Sequence, residues 1–239
     1  LISELFNNKN IIFYKNCKGR IGVSFFLSKK INFKSIIYIE THKAIWLKKD
    51  LHKRSTCFGG KSAVSSLNNA DIFIYQPINR KHGKYSTYID VDNNILTHLK
   101  PDCIKISFPY IYFACLFPLY PSNSAAEIDG GNEYDVSSEI FNKDVIIELR
   151  KKHSHDEIVK LYNKNKIDFK FKKNYDETIK RTKQNEKVCN IKISHLFTMD
   201  NIKKIKLMHT YNHPTNFVLK YIANEVLKIL NVPQITSEQ

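Results

Sequence analysis

The chain has 239 residues, 42% of them hydrophobic and 12% aromatic, which is enough to bury a substantial core and excludes wholesale disorder. Its net charge of +15 is nearly all lysine, the arginines being Arg20, Arg54, Arg80, Arg150 and Arg181. The lysines are dispersed among Asn and Ile, as on a solvated surface, and no recognised nucleic-acid-binding motif accompanies them, so no nucleic-acid partner is expected.

The five cysteines are odd in number and form no C-x-x-C pair, which argues against a disulfide framework or a zinc site and for a reducing, cytoplasmic compartment. No apolar run approaches a membrane span and no signal-peptide pattern opens the chain. The start at Leu1 and the polar end Gln234–Gln239 lead us to expect a domain excised from a longer protein.

In chain order, strands are predicted at Asn10–Tyr14, Ser35–Glu40, Asp71–Tyr75 and Cys103–Ser107, each short and rich in Ile, Phe or Tyr. Helices are predicted between them at Gly19–Lys30, Lys61–Asn69 and Thr87–Leu99. This alternation implies a small parallel sheet with flanking helices, an α/β fold. A break rich in Ser, Asn, Ala and Gly at Ser122–Gly131 then divides residues 1–121 from a mainly helical cap, 122–239. The cap helices are expected at Ser138–Lys151, His155–Asn165, Tyr175–Lys187 and Pro214–Leu230, with Pro214 in the first turn of the last.

Cys17 follows the first predicted strand and precedes the first helix, a turn where N–H groups and the helix dipole favour a thiolate. It also falls at the carboxyl end of a strand, where open α/β sheets hold ligands. The competing reading is a small buried hydrophobe. Gln76, delivered by the strand from Asp71 and followed by Pro77, is placed to donate a hydrogen bond to an oxyanion, or is an ordinary turn residue. His213 stands before a helix in Thr210-Tyr211-Asn212-His213-Pro214, the position of a late base serving an early nucleophile.

Three other patterns carry less. Gly59-Gly60-Lys61-Ser62 has Ser55 where a P-loop needs glycine. His153-Ser154-His155 cannot share a helix face, and Ser154 reads as an N-cap. His209 and His213 lack the H-E-x-x-H context, so no metal is expected.

Taken together, Lys15-Asn16-Cys17-Lys18, the run Asp71 to Gln76-Pro77, the proline-bounded Phe108-Pro109-Tyr110-Ile111-Tyr112-Phe113 with Phe117-Pro118, and Asn212-His213-Pro214 resemble the WcbI-type polysaccharide-biosynthesis acetyltransferases. The order of the four motifs is that family's, and they extend from Ile11 to about Leu230. Lys15 and Lys18 replace the glycine and glutamine of the family's Gly-Asn-Cys-Gln motif.

The resemblance implies an α/β unit capped by helices, bound coenzyme A, and acetyl transfer from acetyl-CoA to a sugar or nucleotide-sugar acceptor, with fusion to another glycan-biosynthesis domain compatible with it. On this reading Cys17, His213 and Gln76 are catalytic. Asn16, Lys18, Gly19, Arg20, Tyr110, Tyr112 and Asn212 bind the cofactor, with Lys18 and Arg20 at its phosphates and the tyrosines along the pantetheine arm. Asn16 and the N–H groups after Cys17 are further oxyanion donors. The Cys and His placement is also similar to that of SGNH-type esterases, which leaves a carbohydrate esterase or deacetylase as the alternative. A basic nucleic-acid-binding module is the second alternative.

Overall fold

The computed structural model describes residues 8–14, 19–39, 63–80, 84, 86–119 and 142–236. Four strands form one parallel sheet: β1 (Asn10–Tyr14), β2 (Ser35–Ile39), β3 (Ile72–Tyr75) and β4 (Ile104–Ser107), in the order β2-β1-β3-β4. The registers align Ile12 with Ile37 on one side and with Phe73 on the other. Ile11, Ile12, Phe13, Ile72, Phe73 and Ile74 are all fully buried, because both faces of the central pair are covered and neither face can be polar.

Alternation sorts these residues into two cores. Ile11, Phe13, Ile72 and Ile74 pack with helix α1 (Gly19–Ser28), the last helix and the segment around Ile193 and Phe197. Ile12, Tyr14 and Phe73 face Leu67 of helix α2 (Ala63–Leu67), Ile95, Leu99 and Cys103. The larger core draws on residues from both sides of the break near residue 122.

The amino edge of the sheet is pinned by Asp71. Its carboxylate accepts from the Asn10 N–H at 2.6 Å and from Lys100 Nζ at 2.7 Å, and its carbonyl accepts from Ile104 N at 2.9 Å. Burial alone would raise the Asp71 pKa, but the Lys100 and Asn10 hydrogen bonds and the nearby lysine charges together hold it below the usual range.

Beyond the sheet come α3 (Lys143–Arg150), α4 (His155–Asn163), α5 (Phe171–Asn185), α6 (Met199–Lys204), an antiparallel ribbon of β5 (Met208–Thr210) and β6 (His213–Pro214), and α7 (Asn216–Ile229). Ser154 caps α4 in a capping box with Glu157, as its place in the sequence predicts. The cap is fastened to β4 through Asn190, whose Oδ1 accepts from both the backbone N–H and the hydroxyl of Ser107 at 2.8 Å. Buried Glu186 accepts from Ile193 N, Ser194 N and Ser194 Oγ at 2.5, 2.6 and 2.7 Å and fixes the loop that follows.

The structure corrects several predicted elements. No α-helix forms over Thr87–Leu99; only Ile95–His98 makes a 3-10 turn. There the left-handed Asn93 (φ 52°) and the Asn94 side chain, bonded to Leu96 N and Val91 O, hold the backbone in turns. Pro214 is not in the last helix: it pairs in β6, and α7 starts two residues later after Thr215. The helix predicted from Tyr175 begins a turn earlier, at Phe171, and stops at Asn185. Helix α6 and the ribbon were not predicted, both being too short to show a period.

Candidate functional site

The strand order sets where a site belongs. From β1 the chain passes to β2 on one side, then crosses to β3 on the other, so the crossovers diverge between the carboxyl ends of β1 and β3. Such switch points leave a crevice at the strand ends, where open sheets bind ligands. Gln76 stands there: its backbone N–H donates to the Tyr14 carbonyl at the end of β1, 3.4 Å away. The side chain is 1% exposed, and Nε2 donates to the Pro109 carbonyl at 3.2 Å.

Pro109 begins the segment that follows β4 along the same edge. Its tyrosines, Tyr110 and Tyr112, are half-buried and stacked with centroids 6.2 Å apart, and the edge of Tyr211 meets Tyr112 at 5.4 Å. Phe113 N donates to the Tyr211 carbonyl at 2.7 Å, which ties this segment to the ribbon. One continuous set of contacts therefore runs from the end of β1 through Gln76 and Pro109 to the turn that carries His213.

His213 is half-buried, and its Nδ1 lies 2.6 Å from Thr210 Oγ1. The Thr210 hydroxyl has one hydrogen, directed to Asn212 Oδ1 at 3.3 Å. When Nδ1 carries the proton, Thr210 Oγ1 accepts from it and the imidazole lone pair falls on Nε2. That tautomer is the one a general base needs, with a neutral hydroxyl in the place a carboxylate often fills. His209 is on β5 and His213 on β6, so their spacing does not place them on one helix face.

Asn16, Cys17 and Lys18 lie outside the described residues, as do the side chains of Gly19 and Arg20, and so does Gly59–Ser62. Among the described cysteines, burial pushes the Cys103 thiol up to about 11 and also raises that of Cys115, so neither is a ready thiolate. No group of three His, Cys, Asp or Glu able to hold a metal occurs among the described residues, and no helix there is long and apolar enough to cross a membrane.

The model of the family described as polysaccharide biosynthesis enzyme WcbI matches residues 61–235. The chain belongs to the WcbI family. The matched span includes Gln76, Tyr110, Tyr112, Asn212 and His213, whereas Asn16 to Arg20 precede it. A solved structure of WcbI aligns with 97% of this chain and 71% of its own length, at 13% identity and a TM-score of 0.68, which shows that the fold is shared. That protein is described as a novel polysaccharide biosynthesis enzyme, in a native form without a disulfide between coenzyme A and one of its cysteines. A comparison with curated proteins finds no match.

Two residues of this candidate site escaped sequence reading. Arg181, exposed on α5, lays its guanidinium over the Tyr112 ring, 5.2 Å from the centroid. Thr210 stands three residues before the histidine it orients. Among many surface cations Arg181 has no sequence signal, whereas Thr210 was visible beside the candidate base.

Proposed function

We propose that this chain is an acetyl-CoA-dependent acetyltransferase that modifies a sugar hydroxyl or amino group during glycan assembly in the cytoplasm. The observation that carries the reading is the His213–Thr210 pair, at 2.6 Å, on a ribbon bound to the carboxyl edge of the sheet. Family membership and the likeness to a protein whose description mentions coenzyme A support it.

In the first half-reaction His213 Nε2 removes the Cys17 thiol proton. The thiolate forms a bond to the acetyl carbon while the bond to the sulfur of coenzyme A breaks, and the proton passes to the departing sulfur. In the second, Nε2 takes the proton of the acceptor hydroxyl or amine. The acceptor atom bonds to the acetyl carbon, and the Cys17 sulfur leaves and recovers the proton. N–H groups after Cys17, with Asn16 and the second amide hydrogen of Gln76, stabilise the oxyanion. Lys18, Arg20 and the amino end of α1 hold the phosphates, and Tyr110, Tyr112, Asn212 and Arg181 line the approach.

Incubation with acetyl-CoA is expected to raise Tm and give one acetyl adduct by intact mass, absent in Cys17→Ala. Turnover of Cys17→Ala near the normal rate would eliminate the covalent route and leave His213 acting directly on the acceptor. Cleavage of a simple aryl ester with no Tm shift from acetyl-CoA would favour the esterase instead.

A further inference from the structure

Gln76 carries one feature that the fold does not use. Pro109 offers only a carbonyl, so the group facing it must be the amide NH2, and this fixes which end of the side chain is oxygen. Among the described residues Gln76 Oε1 has no hydrogen-bond partner, although the side chain is 1% exposed. Leaving a buried acceptor unsatisfied costs about 1–3 kcal/mol. A Met of similar length would pack there without that penalty, so the position is hard to explain by stability. Such an orphan calls for a partner from outside the protein, and a ligand is one that can supply it. This one stands at the switch point between β1 and β3, where Gln76 N–H already meets the Tyr14 carbonyl.

We infer that Gln76 Oε1 accepts a hydrogen bond from the ligand, from the amide N–H nearest the sulfur of the pantetheine arm. This rests on the reading above, in which the thioester sulfur is handled after the end of β1. Neighbouring strands are about 4.8 Å apart. The sulfur and that amide nitrogen are separated by two methylene groups, a reach comparable to one strand spacing, and Gln76 follows the end of β3, which pairs with the end of β1. The donor is uncharged, which suits an uncharged acceptor in a water-poor crevice. Gln76 thereby contacts the cofactor with its oxygen as well as its amide: it sets how far along the crevice the arm lies, and so where the acetyl carbon comes to rest.

Calorimetric titration of the full chain and of its Gln76→Met and Gln76→Glu variants, with coenzyme A and separately with adenosine 3′,5′-bisphosphate, tests the assignment. Gln76→Met removes the orphan and the Pro109 bond together, two effects of opposite sign and similar size, so Tm stays nearly constant. The expected result is an affinity for coenzyme A about tenfold weaker in Gln76→Met and partly restored in Gln76→Glu, which keeps an acceptor. Adenosine 3′,5′-bisphosphate, which lacks the arm, should bind all three proteins alike. Unchanged coenzyme A affinity in Gln76→Met overturns the inference, as does an equal loss for both ligands. A large fall in the Tm of Gln76→Met, with its coenzyme A affinity per folded molecule unchanged, would make Oε1 a structural acceptor and also overturn it. Failure of the unaltered protein to bind coenzyme A at all would sink the proposed function instead.

Discussion

Gly22 on α1 lies so close to Leu219 on α7 that a Cβ added at Gly22 would stand 2.5 Å from Leu219 Cδ1. Both residues are in the opening turns of their helices, since α1 starts at Gly19 and α7 at Asn216. The contact thus brings the amino end of the helix that follows β1 against the amino end of the helix that follows His213. A glycine lets the two backbones approach, and Leu219 fills the space a side chain would take.

Replacing Gly22 by Val is therefore expected to push the buried Leu219 side chain out of its place and destabilise the protein by about 1–3 kcal/mol. Adding Leu219→Ala to that variant should cost less than Leu219→Ala alone, because the cavity accepts the new methyl groups. Urea unfolding of the four proteins of this cycle measures the coupling, and strict additivity would contradict the contact.

The His213–Thr210 bond predicts kinetics. Thr210→Val removes the hydroxyl that meets Nδ1 and should lower kcat about 10–100-fold with little change in Tm. Thr210→Asp supplies a carboxylate, which favours the imidazolium, so the acid limb of the pH–rate profile should move to higher pH. A profile unmoved by either variant would show that Thr210 does not act on the base.

Acid stability follows from Asp71. Its folded pKa is depressed below an unfolded value of about 3.9, so its contribution is complete above that value and fades as pH falls through the lower folded pKa. Asp71→Asn should lose about 1–2 kcal/mol at neutral pH and converge with the unaltered protein once the pH falls below the depressed folded pKa. The Lys100 pKa is raised, chiefly by the same hydrogen bond, so its share persists below its unfolded value and is lost in strong base. Chemical denaturation at a series of pH values reads both.

Glu186 accepts three hydrogen bonds while 4% exposed. Glu186→Ala strands those donors and should destabilise by about 2–3 kcal/mol. Hydrogen exchange at Ile193 and Ser194 would accelerate before the rest of the cap opens.

The four parallel strands were readable because each is a short apolar run between turn signals, and β1 was located to the residue. Ser154 was readable because a capping box is encoded within four residues. By contrast, the Asp90 to Asn94 region carries hydrophobic spacing that suits a helix, yet the Asn94 side chain bonds the nearby backbone and wins. His213 and Gln76 stood out as polar residues at element ends, but their partners did not. Thr210 is three residues from the histidine, whereas Pro109 is 33 residues from Gln76, and nothing local marks that pair.

What the sequence determined alone is the set of local choices: strand-forming runs, caps, and the polar groups placed where elements end, all governed by neighbours a few residues away. Only the tertiary structure decided that Gln76 keeps an unsatisfied oxygen, that the Thr210 hydroxyl meets the His213 ring and that Gly22 meets Leu219. Those outcomes depend on strand order and helix packing, which close contacts across as many as 197 positions in the chain. Burial then makes each such contact energetically decisive, because a buried polar atom has no solvent to replace a missing partner.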